Sequence, residues 1–210
     1  MRAEKNEKII LSIETVVEGG SLSVFVNGKE VGDWCGQGEV SKAEEILEQL
    51  QKLFDKHKIE KEFLSLIAVS SGPGSSTGIK IGLSLAKGLA KSIGCPMIVV
   101  SALASLTSLV NVKIAGNILT AVPIGKNLIS WQIFENKDAV SRAIGDFQIS
   151  DLESFIEKIK AREFSRAVLH NRIYEVLKEK QITKNNKLVM DAGKNLASKL
   201  IEKTNINYVR

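Results

Sequence analysis

The sequence predicts an α/β fold of mixed sheets flanked by helices, arranged as two lobes, and three observations carry that expectation. Three short apolar segments near the start surround a tight-turn dipeptide, Asn27-Gly28. Helical and buried-strand patterns then alternate up to about residue 110. A second series of strands followed by helices begins near Val112, so residues 1–110 and 111–210 are expected to form two domains, the second smaller.

Lys8 to Thr15 (KIILSIET) is strongly apolar and reads as the first strand. Ser21–Val26 and Lys29–Trp34 alternate in residue type on either side of Asn27-Gly28, the pair that suits a type I′ hairpin. A connector spans 35–40, and Ser41 with Glu44 three residues later forms a capping-box pattern opening a helix to His57. Ile46, Leu47, Leu50, Leu53, Phe54 and His57 share one face of it, with the histidine at its edge. Phe63–Val69 is the next strand, Ile79–Gly94 a helix ended by glycine, Pro96–Ser101 a buried strand and Ala102–Leu109 a short helix. Three meander strands followed by alternating helix and strand is the order of a ribonuclease-H-like lobe, as in actin and the sugar kinases.

In the second half, Asn117–Val122 and Leu128–Phe134 read as strands and 138–143 as a weaker one. Asp151 caps a helix to Lys160, with Leu152, Phe155, Ile156 and Ile159 on one face. Arg166–Leu169 is a strand, Ile173–Leu177 a short helix, Lys187–Met190 a strand and Asn195–Glu202 a last helix. Neither a repeat by residue identity nor a low-complexity segment is present.

The stretch Ser70 to Leu83 (SSGPGSSTGIKIGL) joins a strand to a helix through a glycine-rich turn, the form of a phosphate cradle. The spacing of a P-loop is absent, since five residues on from Gly72 stands Thr77 and from Gly74 stands Ile79. The dinucleotide fingerprint G-x-G-x-x-G is absent as well. Gly78, Gly82, Ala86 and Ala90 instead recur every fourth residue and line one stripe of the helix. Glycine inside a helix costs roughly 1 kcal/mol against alanine, so the stripe implies close approach, either of the lobe's own sheet or of another helix.

The run GPGSSTGIKIGLSLAKGLA resembles the G-P-G-S-F-T-G-x-R-x-G-x-x-x-A-K-G-L-A signature of the TsaB (YeaZ) family, with Ser76 in place of the usual aromatic and Lys80 in place of arginine. The ending Ile206-Asn207-Tyr208-Val209-Arg210 resembles the family's P-x-Y-L-R terminus. Where the family often carries His-Ser-Glu at its first long helix this chain has Lys42-Ala43-Glu44, and where it often carries Asp-Ala-Arg after the first strand of the second lobe it has Val122-Pro123-Ile124.

Charge is unevenly spread. Residues 1–105 hold 12 basic and 13 acidic side chains, a net of −1, while residues 106–210 hold 17 and 11, a net of +6. Lys178, Lys180, Lys184 and Lys187 lie among polar residues without aromatics, the pattern of solvated lysines rather than of a nucleic-acid surface. Cys35 and Cys95 make no C-x-x-C, and His57 and His170 lack the paired spacing of a zinc protease, so neither a metal site nor a disulfide framework is expected. Glu14-Thr15-Val16 stands where kinases of such folds handle magnesium and phosphate, but the following turn offers no basic residue to hold a phosphate. The charged start and the lack of a membrane-length apolar run make a cytoplasmic protein the expectation.

The family resemblance implies two ribonuclease-H-like (actin-like ATPase, ASKHA) lobes. It also implies the role of non-catalytic partner to a TsaD-like threonylcarbamoyl transferase acting on adenosine 37 of tRNA. A TsaE-like ATPase would assist, with tRNA met indirectly through the complex and a homodimer possible for the isolated chain. No catalytic residue and no cofactor are expected. An ASKHA-type small-molecule kinase or ATPase is the alternative. The expected motif loop is Gly72, Pro73, Gly74, Ser75 and Thr77, and the expected partner surface comes from the first two long helices, with Ile46, Leu50, Leu53, Gly78, Ile81, Gly82, Leu85, Ala86 and Leu89.

Overall fold

The computed structural model describes residues 7–17, 19–36, 43–110, 115–138, 140–161, 164–180 and 188–190. They fall into two units, divided between Ser101 and Ala102. The expected helix at 195–202, the C-terminal motif and the Ser41 cap lie outside the described residues.

In the first unit, β1 (Ile9–Glu14), β2 (Ser21–Val26) and β3 (Lys29–Cys35) form an antiparallel meander, and β4 (Leu64–Ser70) and β5 (Met97–Val100) add in parallel, giving the order β3-β2-β1-β4-β5. The β2–β3 turn has positive φ at both Asn27 (50°) and Gly28 (83°), the conformation expected of that pair. Ile9, Leu11 and Ile13 of β1 join one core cluster with Ile46, Leu50, Leu53 and Phe54 of α1 (Ala43–His57) and Ala86 of α2 (Ser76–Ile93). Both helices therefore cover the same face of the sheet, α1 over β2 and β3, α2 over β4, β1 and β5. The opposite face carries Ile10, Phe25 and Ala68. Helix α2 begins three residues earlier than its apolar period suggests, because Ser75 caps it by accepting a hydrogen bond from the Gly78 amide. It ends at Gly94, whose left-handed conformation (φ 80°) closes the last turn.

The second unit repeats this topology without repeating the sequence. After α3 (Ala102–Leu106), β6 (Gly116–Ile124), β7 (Leu128–Lys137) and β8 (Val140–Asp151) form a meander; β9 (Arg166–Leu169) and β10 (Leu188–Met190) add in parallel, in the order β8-β7-β6-β9-β10. Leu119, Ala121, Ile129, Trp131 and Ile133 on one face meet α4 (Leu152–Lys160) and α5 (Asn171–Glu179) through Phe155, Ile156, Ile159, Ile173 and Leu177. Trp131 is 1% exposed, tilts against Phe155 at 6.2 Å between centroids and donates its indole N–H to Ser150 Oγ at 3.1 Å. The weaker strand expected at 138–143 in fact runs to Asp151, and α5 is longer at both ends than the expected 173–177.

Among the described residues no helix is long and apolar enough to cross a membrane.

Candidate functional site

The motif residues meet the end of the first strand, and the contact is intimate. The Ser75 amide donates to the Val16 carbonyl at 2.8 Å, and the Thr15 hydroxyl donates to the Gly78 carbonyl at 2.7 Å. Glu14 is buried (2% exposed), and its Oε1 accepts the amides of Val16 at 2.6 Å and Val17 at 2.9 Å, which folds the chain sharply after β1. At the other end of the turn the Ser71 amide donates to Val100 O, and Gly72, at φ 95°, precedes a cis peptide to Pro73.

The motif glycines exist because of this seat. A Cβ on Gly74 would meet the Val16 carbonyl, one on Gly78 the Thr15 carbonyl, and one on Gly82 the Thr15 hydroxyl, with Val69 Cγ2 at 3.5 Å. The small-residue stripe thus faces the lobe's own sheet and not a partner helix. Gly78, Gly82 and Ala86 are all buried there. Thr77, expected in the loop, lies in the first turn of α2.

The expected partner surface needs the same correction. Ile46, Leu50 and Leu53 are at most 5% exposed and belong to the unit's own core. Leu85 and Leu89 are half-buried against that core, and Ile81 is half-buried on α2. Leu47, expected on the same apolar face as Ile46 and Leu50, instead lies on the outer side of α1 and is 53% exposed. It shares the outer surface of the helix with Glu48, Gln51, Lys52 and Asp55, and Glu48 and Lys52 form an i,i+4 ion pair at 2.6 Å. On α2, Gly88 is exposed with open space where a side chain would go.

Chemically, several amides at the start of α2 are engaged from within the unit. The amides of Ser75, Gly78 and Ile79 are bonded to Val16 O, Ser75 Oγ and Ser75 O respectively. The Glu14 carboxylate, placed where a kinase of such a fold handles magnesium, holds backbone amides instead. No group of three or more His, Cys, Asp or Glu residues is assembled for a metal among the described residues. Burial pushes the Cys95 thiol up, partly opposed by its own backbone amide, so this cysteine is not poised as a thiolate. His170 caps α5, with Nδ1 accepting the Arg172 amide at 3.3 Å.

One feature gave no sequence signal: the Arg172 guanidinium reaches back to the β6–β7 turn and donates to the carbonyls of Gly125 (3.2 Å) and Lys126 (2.9 Å). The pairing joins residues more than forty apart, so no local spacing could reveal it.

Known proteins share this sequence pattern and this fold. The family model "TsaD: tRNA N6-adenosine threonylcarbamoyltransferase" matches residues 40–150. The tRNA threonylcarbamoyladenosine biosynthesis protein TsaB of Buchnera aphidicola (subsp. Acyrthosiphon pisum) is 29% identical over 158 residues, covering 72% of this chain and 69% of that protein. TsaB of Escherichia coli is 30% identical over 99 residues, 46% of this chain and 42% of that protein. Among solved structures, YeaZ from Pseudomonas aeruginosa superposes with a TM-score of 0.70 at 18% identity, covering 93% of this chain and 90% of that one, a likeness of fold.

Proposed function

The chain belongs to the TsaB (YeaZ) family, within the reach of the TsaD family model, and from that premise we propose that it is the non-catalytic partner of a TsaD-type transferase. In this reading the transferase forms N6-threonylcarbamoyladenosine at position 37 of tRNA in the cytoplasm, and a TsaE-type ATPase completes the assembly. The observation that carries the non-catalytic part is the seat of the motif: Val16 O takes the Ser75 amide, Ser75 Oγ takes the Gly78 amide, and Thr15 packs against Gly78 and Gly82. The partner surface is the outward side of α1 and α2, with Leu47 as its apolar anchor on α1 and Ile81, Leu85 and Leu89 partly accessible on α2. A stable interface needs roughly 800 Å² from each side, within reach of two exposed helix faces of four to five turns.

The test is reconstitution. Purified chain alone should turn over no ATP and modify no tRNA, whereas adding it to a TsaD-type protein should restore modification and co-elution. ATP turnover by the isolated chain would instead establish the small-molecule kinase or ATPase reading. Leu47→Asp should abolish co-elution while leaving the circular dichroism and thermal midpoint of the chain unchanged.

A further inference from the structure

The second unit contains a groove that the partner role does not use, and we infer that it binds a linear apolar molecule ending in a carboxylate. The groove has a volume of about 340 Å³ and lies between the β6–β7 turn, the start of α4 and one side of α5. That size falls in the range of small-molecule sites. Pro123, Ile129 and Ile173 form a buried apolar floor, and Leu152 and Val176 are half-buried along its sides.

Its shape is fixed by two charged side chains hydrogen-bonded to neutral groups. Arg172 clamps the turn through the carbonyls of Gly125 and Lys126, which holds one wall against α5. Asp151 turns its carboxylate to Ser154, accepting from the amide at 2.8 Å and from the hydroxyl at 3.0 Å. Two further cations stand on the rim. Lys126 stands at the turn and Lys180 closes α5, both exposed and in no ion pair among the described residues. Arg172, Val176 and Lys180 recur every fourth residue and so share the face of α5 that lines the groove, a stretch of roughly 12 Å at helical rise. An apolar channel with a cation near each end selects an extended hydrocarbon carrying an acidic group. Glu153 and Asp151, which keeps its negative charge while accepting from Ser154, are the acids of the rim and disfavour an anion at the α4 side.

Octanoate is the probe, with 1-octanol as the arm that lacks the acid, each titrated into the full chain by calorimetry and saturation-transfer NMR. Octanoate should bind saturably at one site, with octanol at least about tenfold weaker, the order expected of one charge-assisted contact. Lys126→Glu or Lys180→Glu, whichever stands at the acid's end, should weaken octanoate by about tenfold or more, and Val176→Trp should abolish it by filling the groove. Both lysines are exposed, so their variants keep the test valid should the Trp variant fail to fold. No saturable octanoate signal, equal affinity for octanol, or binding indifferent to both lysine reversals would overturn the assignment.

Discussion

Thr15 and Gly78 hold the first unit together at its motif: the Thr15 hydroxyl donates to the Gly78 carbonyl at 2.7 Å, and the Thr15 carbonyl occupies the space a Gly78 side chain would need. The residue that follows strand β1 is thereby joined to helix α2 by a side chain-to-backbone hydrogen bond, with the backbone Ser75–Val16 hydrogen bond one step away. This gives the glycines of a signature that looks like a nucleotide loop a packing role of their own.

Gly78→Ala should therefore be among the most damaging small substitutions in the chain. The added methyl would press on backbone, which cannot rotate away as a side chain would. A loss of about 3 kcal/mol or more is expected in urea unfolding, at the upper end of overpacking effects. A variant within about 1 kcal/mol of the parent would show that the seat is looser than the geometry implies.

Gly88→Ala, ten residues along the same helix, should do the opposite. Gly88 is helical and exposed, and a methyl added there would meet nothing within 4 Å. Alanine there restores helix propensity and restricts the unfolded chain, for a gain of about 0.5–1 kcal/mol. The contrast between two glycines of one helix is measurable in a single series of thermal melts.

Much of this fold is legible in the sequence, and the exceptions have physical causes. Period 3.6 places the buried stripe of α2 but cannot say what lies opposite, so the Gly78–Gly82–Ala86 row suits a partner helix as well as the strand it actually meets. The same holds for α1, where Ile46, Leu50 and Leu53 form the broad apolar face that the lobe itself consumes. Strand β8 runs past the expected end at 143 because it is an edge strand, largely exposed, with register broken opposite Gln132 and Gly145 at φ 69°. An exposed, bulged edge has no apolar alternation to read. The start of α2 escapes the pattern for a different reason: Gly72 to Thr77 has loop composition, yet one serine cap suffices to begin the helix at Ser76.

Asp151 gives a pH-dependent prediction. The Ser154 amide, then its hydroxyl, hold the exposed Asp151 carboxyl below the usual aspartate range. A group whose folded pKa is depressed stabilises the fold above its unfolded pKa, near about 3.9, and that contribution is lost as pH falls through the folded value. Asp151→Asn keeps a capping oxygen but no titration, so its stability relative to the parent should improve progressively as pH is lowered below about 4. A constant difference between the two proteins from neutral pH down to about pH 2.5 would refute the assignment of this cap.

The closest side-chain contact at the seat allows a sharper experiment than any single substitution. A methyl on Gly82 would collide with the Thr15 hydroxyl, whereas Thr15 Cβ and Val69 Cγ2 both lie at 3.5 Å from it, ordinary contact distance. Gly82→Ala alone should cost about 1–3 kcal/mol through overpacking, net of the propensity that alanine gains. Thr15→Ala alone should cost about 1–2 kcal/mol, since it removes the donor to the Gly78 carbonyl and leaves a small void. In the double variant the new methyl enters the space the hydroxyl has left. The combined loss should then fall short of the sum of the two by about 1 kcal/mol or more, a coupling within the range measured for touching residues. Gly82→Leu should unfold the chain in either background, because a branched side chain exceeds what the hydroxyl vacates. Strict additivity of Thr15→Ala and Gly82→Ala in urea unfolding would mean that strand and helix do not meet at these atoms, and the internal seat of the motif would have to be abandoned.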